Sequence, residues 1–294
     1  GGIFVIYTLE NSNISIAAST YGGEIHSLKS KKDNTEYLWN GNPEYWKYHA
    51  PILFPIVGKV KDLKYRVDGK TYELPQHGLA RISEFNLLTQ NKESITFELV
   101  YSDDTLKVYP FKFSLQITYT LLDNGVKVTY TVNNLDDKNI LFSIGSHPAF
   151  MCPIEEGLSL NDYYFKFNEK ENAPIMLLNS HGLFTGETED FLDNSNIIPL
   201  SKELFKNDAL VFNNLKSNKI SIESQKGTKS LTLDFTGFPD LGLWAPATGA
   251  PFVCIEPWYG HADFADFEGE FKDKEGVISL EVNGKFECNF IVTI

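Results

Sequence analysis

Hydrophobic and polar residues alternate along much of this chain. Phe113, Leu115, Ile117, Tyr119 and Leu121 are separated by Ser114, Gln116, Thr118 and Thr120, and the same period resumes at Val126, Val128, Tyr130 and Val132. A period of two sends every second side chain to one face, which describes a strand with one face buried. Between these runs, Asn124-Gly125 tolerates the positive φ of a tight turn, so the two strands are expected to pair around it. The same grammar predicts hairpins over residues 65–72 around Asp68-Gly69 and over residues 220–235 around Lys226-Gly227. It also predicts one over residues 278–294 around Asn283-Gly284, closing the chain with an antiparallel pair. Helical periodicity is weak. Residues 259–271 fit a short helix or an irregular loop. Residues 179–196, rich in Asn, Gly, Thr and Asp, read as loop with short strands. The expected fold is all-β, a large antiparallel sandwich. No Pro/Gly/Ser linker separates two cores, so a single domain over residues 3–294 is expected, with two close-packed β domains as the alternative. Gly1-Gly2 is set aside from this reading.

Composition narrows the field. The 294 residues suffice for a large core, and 42% hydrophobic with 22% charged is ordinary globular chemistry. The longest apolar runs are strand-sized, too short for a membrane-spanning helix. No basic, apolar, small-residue succession marks a signal peptide, so a cytoplasmic location is expected. The net charge of −13 repels nucleic acid and anionic membrane surfaces. Arg66 and Arg81 are the only arginines, which weighs mildly against a phosphorylated substrate, because Arg is the better bidentate phosphate clamp. Cys152, Cys254 and Cys288 are odd in number and widely spaced, with no CxxC pair. They read as buried free thiols.

Four segments interrupt apolar stretches with polar residues. His77 lies in Leu74-Pro-Gln-His77-Gly-Leu-Ala-Arg81, downstream of a Pro51-to-Lys59 run, and taken alone reads as a turn histidine. His147, in Ser146-His147-Pro148, follows an apolar strand, and Pro148 ends regular pairing, so His147 is expected at a strand end or bulge. Asp208 precedes the run Ala-Leu-Val-Phe212 and alone reads as a turn aspartate. Glu256, flanked by Ile255, Pro257 and Trp258, is the strongest site signal. A carboxylate among apolar residues must be paired, protonated or at a cleft edge. No G-x-S-x-G, H-E-x-x-H, EF-hand or Walker pattern occurs. The set is therefore one of general acids and bases.

Taken together and in order, several segments resemble the aldose 1-epimerase (galactose mutarotase) family, especially its LacX-like branch. They are Tyr21-Gly-Gly-Glu-Ile-His-Ser-Leu28, Glu36-Tyr-Leu-Trp39, Phe54-Pro55 to Gly58-Lys59, His77-Gly-Leu-Ala-Arg81, Ser146-His147-Pro148, Asn207-Asp208-Ala-Leu and Ile255-Glu256-Pro-Trp258. The resemblance implies a β-supersandwich with a concave sugar-binding face, a general base at Glu256, a general acid at His147 and a second catalytic histidine at His77. It implies substrate contacts from Asp208, Lys59 and Arg81. Lys59 stands where the family often has arginine, and lysine lacks the planar fork. No cofactor or metal is implied. The implied partner is a small aldohexose, with no nucleic acid or membrane, in a monomer or homodimer. Trp244 and Trp258 are candidate platforms for a sugar face, and equally candidate core residues.

Opening a hemiacetal needs the C1 hydroxyl proton removed while the ring oxygen is protonated, which a carboxylate and an imidazolium can do together. The expected geometry has His147 and Glu256 facing each other across one pyranose ring. The carboxylate should titrate below the imidazole, as in the free amino acids, with desolvation narrowing the window. A hexose-6-phosphate mutarotase of the same fold is the runner-up. There Arg81 would meet phosphate, although Tyr48-His-Ala-Pro-Ile-Leu stands where that branch is expected to carry Arg-Gly-Gly. A non-catalytic carbohydrate-binding protein on this scaffold is the third reading.

Overall fold

The computed structural model describes residues 4–294; Gly1-Gly2 and Ile3 lie outside the described residues. Within them the chain is almost entirely β, and all pairings between its named strands are antiparallel. Nine strands form the largest sheet. Its order is Phe184–Pro199, Tyr163–Leu178, Lys219–Ser224, Leu231–Asp234, Lys285–Thr293, Gly125–Asn134, Phe113–Leu122, Ser94–Val100 and Asn86–Gln90. A second sheet runs Leu210–Asn213, Asp240–Trp244, Phe252–Tyr259, Ile144–Ser146 and Ile52–Leu53, with Ala149–Met151 also on Phe252–Tyr259. A three-stranded sheet, Ile6–Glu10, Ile14–Ser19 and Ile25–Ser30, lies at the N-terminal end.

The predicted alternation is realised in Phe113–Leu122. Phe113, Leu115, Ile117 and Tyr119 are buried on one face, while Ser114 and Gln116 on the other donate to Glu98 Oε2, each at 2.9 Å. Full burial of each such side chain contributes about 1.5–3 kcal/mol, and these residues join one hydrophobic cluster that reaches from Leu9 to Val292. The hairpin to Gly125–Asn134 forms, but Asp123-Asn124 make its turn and Leu122 pairs with Gly125. Gly125 is needed for space, since a Cβ there would lie 2.0 Å from the Val292 carbonyl oxygen on the next strand. The hairpin at Asp68-Gly69 closes as expected, with both residues at positive φ and Tyr65 opposite Tyr72.

Two expectations fail. Residues 278–294 do not fold back on themselves. Ile278–Leu280 pairs with Ile140–Phe142, and Lys285–Thr293 pairs with Gly125–Asn134 and Leu231–Asp234. The Asn134 amide donates to the carbonyls of Leu280 and Glu281, pinning the turn to a different strand. Residues 179–196 fall mostly within the long strand Phe184–Pro199, which pairs with Tyr163–Leu178. Four register shifts interrupt this ladder, and each bulge breaks the period of two that a strand would otherwise show. Residues 259–271 are irregular beyond the end of the Phe252–Tyr259 strand. One short α-helix, Asp103–Val108, capped by Ser102 and Thr105, was not foreseen.

Candidate active site

The second sheet carries the site. Along Phe252–Tyr259 the alternate residues Cys254, Glu256 and Trp258 project to one face. Ile144–Ser146 and Ala149–Met151 pair with this strand on either side of Pro148, in the same register: Ile144 meets Tyr259 and Ala149 meets Cys254. The interruption at residues 147 and 148 therefore leaves His147 directly opposite Glu256. His147 Nε2 lies 3.2 Å from Glu256 Oε1, with both side chains buried.

This contact corrects one expectation. No pyranose ring fits between the two groups; they stand side by side. The chemistry accommodates this placement, because the C1 hydroxyl and the ring oxygen are both bonded to C1, so one edge of the sugar presents both atoms to neighbouring groups.

His77 reaches the same place from another direction. Its segment is drawn against residues 54–58 by hydrogen bonds from His77 N to Gly58 O and from Leu79 N to Phe54 O. Gly78, at φ +77, is required there, since a Cβ would lie 2.3 Å from Phe54 O. Gly58 N donates to His77 Nδ1 at 3.0 Å, which assigns the proton of the neutral ring to Nε2. The His77 and His147 rings meet edge to face with centroids 5.5 Å apart.

His77, His147, Asp208, Glu256 and Arg81 all line one cavity of about 240 Å³. Asp208 adopts φ +83 and accepts the Ala209 amide at 2.7 Å on Oδ1. Arg81 is half-buried, donates to Gln76 O and lies over the Tyr48 ring at 4.8 Å. Its Nε has no hydrogen-bond partner. Lys59 is not part of the lining. Its ammonium lies 3.9 Å from where a Cβ on Gly182, a lining residue, would be. Trp244 and Trp258 line the cavity, as does Trp46, which sequence reasoning missed. Trp46 packs on His147 at 4.8 Å between ring centroids and on Trp244 and Phe252. Its signal was the aromatic cluster Tyr45-Trp46-Lys-Tyr48, which follows neither period.

Burial dominates the electrostatics. It pushes the Glu256 carboxyl well above its ordinary range, helped by the negative charge of Asp208 and opposed by the nearby Trp258 indole. Burial also pulls the His147 imidazole down to about 3, with the Arg81 charge adding to the fall. His77 is held well below its ordinary value by burial, then by His147, Arg81 and Lys59. The order expected from the free amino acids is thus inverted, because dry surroundings favour the neutral form of each group.

A family model described as aldose 1-epimerase matches residues 5–279. The chain is 35% identical over 280 residues to the chromosomal protein LacX of Lactococcus lactis subsp. lactis, covering 92% of this chain and 93% of that protein. Among solved structures, a galactose mutarotase related enzyme from Lactobacillus acidophilus superimposes with a TM-score of 0.94 at 36% identity, covering 98% of this chain and 97% of the other. A galactose mutarotase-like protein from Lactobacillus casei gives a TM-score of 0.92 at 33% identity, over 98% and 99% of the two chains.

Proposed function

The chain belongs to the aldose 1-epimerase family of isomerases, and on that premise we propose that it interconverts the α and β anomers of a neutral aldohexose such as galactose or glucose. The observation that carries the reading is the buried His147–Glu256 contact of 3.2 Å on the wall of a cavity sized for one sugar ring.

In this reading Glu256 takes the C1 hydroxyl proton while His147 gives a proton to the ring oxygen. The C1–O5 bond breaks, an aldehyde forms, and rotation about C1–C2 presents the opposite carbonyl face. Reclosure reverses both transfers. A neutral carboxylic acid beside a neutral imidazole holds the same single proton as a carboxylate beside an imidazolium. The productive form is then reached by moving that proton across the contact, with no exchange with solvent. His77 donates from Nε2 to a sugar oxygen, Asp208 accepts from a sugar hydroxyl, and Trp46, Trp244 and Trp258 give apolar faces to the ring. Lys59 contributes from beside Gly182. Three buried free thiols support a cytoplasmic location, and among the described residues no helix is long and apolar enough to cross a membrane.

A second reading, a hexose 6-phosphate as substrate, draws support from one feature. Arg81 lines the cavity without a carboxylate partner, and its Nε is unpaired. Mutarotation of fresh α-galactose, α-glucose and glucose 6-phosphate, followed by NMR, separates the two. The neutral sugars should relax faster with enzyme, whereas acceleration of the phosphate ester alone would favour the second reading.

A further inference from the structure

Two groups of potential metal ligands occur among the described residues: Glu24, His26 and His49, and His147, Cys254 and Glu256. In the first, the donors are engaged. Glu24 Oε2 accepts the amides of His49 and Ala50, Glu24 Oε1 is paired with His26 Nε2 at 3.0 Å, and His49 Nδ1 meets Trp39 O. The His26 and His49 rings stack with centroids 3.8 Å apart and planes 15° apart, so their in-plane lone pairs cannot both converge on one ion.

The second group also holds one close pair, His147 Nε2 with Glu256 Oε1, but differs at its remaining donors. His147 Nδ1 and Glu256 Oε2 are buried without hydrogen-bond partners. Cys254 is a free, fully buried cysteine two residues from Glu256, so strand geometry sends both side chains to one face. One donor atom from each of the three lies within 4.8 Å of the others, and the His147–Glu256 separation of 3.2 Å is already close to that of two ligands on one small cation. A sulfur, an imidazole nitrogen and a carboxylate oxygen suit zinc, and three protein ligands with an open fourth position are a known zinc arrangement. His147 and Glu256 line the cavity, which gives an ion its way in.

We propose that His147, Cys254 and Glu256 form an inhibitory zinc site at the floor of the sugar cavity. The ion forms bonds to one nitrogen, the sulfur and one oxygen. The thiol proton and the proton shared by the histidine and carboxyl leave to solvent, and no electrons are transferred. Binding therefore tightens as pH rises. The inhibitory consequence rests on the mutarotase reading, because the ion occupies the two groups assigned to acid–base chemistry; the binding itself does not.

The test uses the full chain, with cobalt(II) as a spectroscopic stand-in and zinc as inhibitor. Titration of the wild type with cobalt should give a thiolate-to-cobalt charge-transfer band, absent in Cys254→Ala and in the closer-sized Cys254→Ser. Cys254 takes no part in the proposed proton transfers, so both variants should mutarotate without zinc at near wild-type rates. The zinc concentration for half inhibition should rise at least about 10-fold in each, a loss that even outer partners of a metal ligand can produce. Absence of the band in the wild type, or equal zinc sensitivity in wild type and both variants, would overturn the site. A band without loss of mutarotation would overturn the inhibitory assignment. A band in a protein that mutarotates no sugar would leave the site standing and defeat the functional reading instead.

Discussion

Glu256 Oε1 and His147 Nε2 stand 3.2 Å apart in surroundings that disfavour charge on either, and in the proposed mechanism this sets what pH should do. That mechanism needs the pair to hold one proton. A second arrives only towards the depressed His147 value of about 3, and the first is retained because Glu256 is raised. The rate should therefore stay level as pH falls through about 6.5, the range of free imidazole, and decline well below it. A pH–rate profile with a half-loss centred near 6.5 would contradict the paired proton. The same shift has a consequence for stability. A carboxyl raised above its unfolded value contributes stability that is complete below about pH 4.3 and is lost as pH rises towards the folded value. Glu256→Gln removes that loss. The variant's melting temperature should match wild type near pH 4 and exceed it increasingly towards neutrality; a constant difference would contradict it. His77→Asn keeps a residue type that tolerates φ +67 and removes one neutral hydrogen bond, so it should cost about 10-fold in kcat/KM. A loss as large as that of Glu256→Gln in steady-state assays would make His77 the acid instead. At this scale the sequence was informative wherever a polar group broke an apolar run, as at Glu256 and His147. It was silent on Trp46 and gave Cys254 only as a buried free thiol, because an aromatic or a thiol near a cavity looks like core until the strands are placed.

The elements around the site are tied by a buried ion pair. Lys274 Nζ lies 2.5 Å from Asp263 Oδ1, with both side chains almost fully covered. Asp263 Oδ2 accepts the Lys61 amide, its N–H donates to Lys59 O and its carbonyl accepts Phe184 N. One residue thus joins the Gly58-Lys59 segment, the start of the Phe184–Pro199 strand and the irregular loop after Tyr259. Lys274→Met leaves the Asp263 charge buried and unpaired and should cost about 3–5 kcal/mol in urea unfolding. A cost under about 1 kcal/mol, the range of an exposed pair, would show that the pair is solvated. Hairpins with regular alternation were legible from sequence, including the one at Asp68-Gly69. The bulged pair Tyr163–Leu178 and Phe184–Pro199 was not, because each register shift resets the pattern. The pairing of Ile278–Leu280 with Ile140–Phe142 was hidden for another reason. A three-residue strand carries too little pattern to name a partner so distant in sequence.

Across the whole molecule, one hydrophobic cluster includes Leu9, Phe113, Phe212 and Val292, and the shared core argues for a single cooperative unit. Calorimetry should show one transition; two separable transitions would divide the chain into two domains. The net charge of −13 should matter little for a neutral sugar, which feels no long-range field. The central claim remains that Glu256 and His147 open and close a hemiacetal, and polarimetry of freshly dissolved α-galactose and α-glucose tests it most directly. Wild type should speed relaxation to the anomeric equilibrium of at least one of these sugars, and Glu256→Gln should lower that acceleration by about 10²–10⁴-fold. Wild-type rates in Glu256→Gln, or relaxation of both sugars at the buffer rate with the wild-type enzyme, would contradict it.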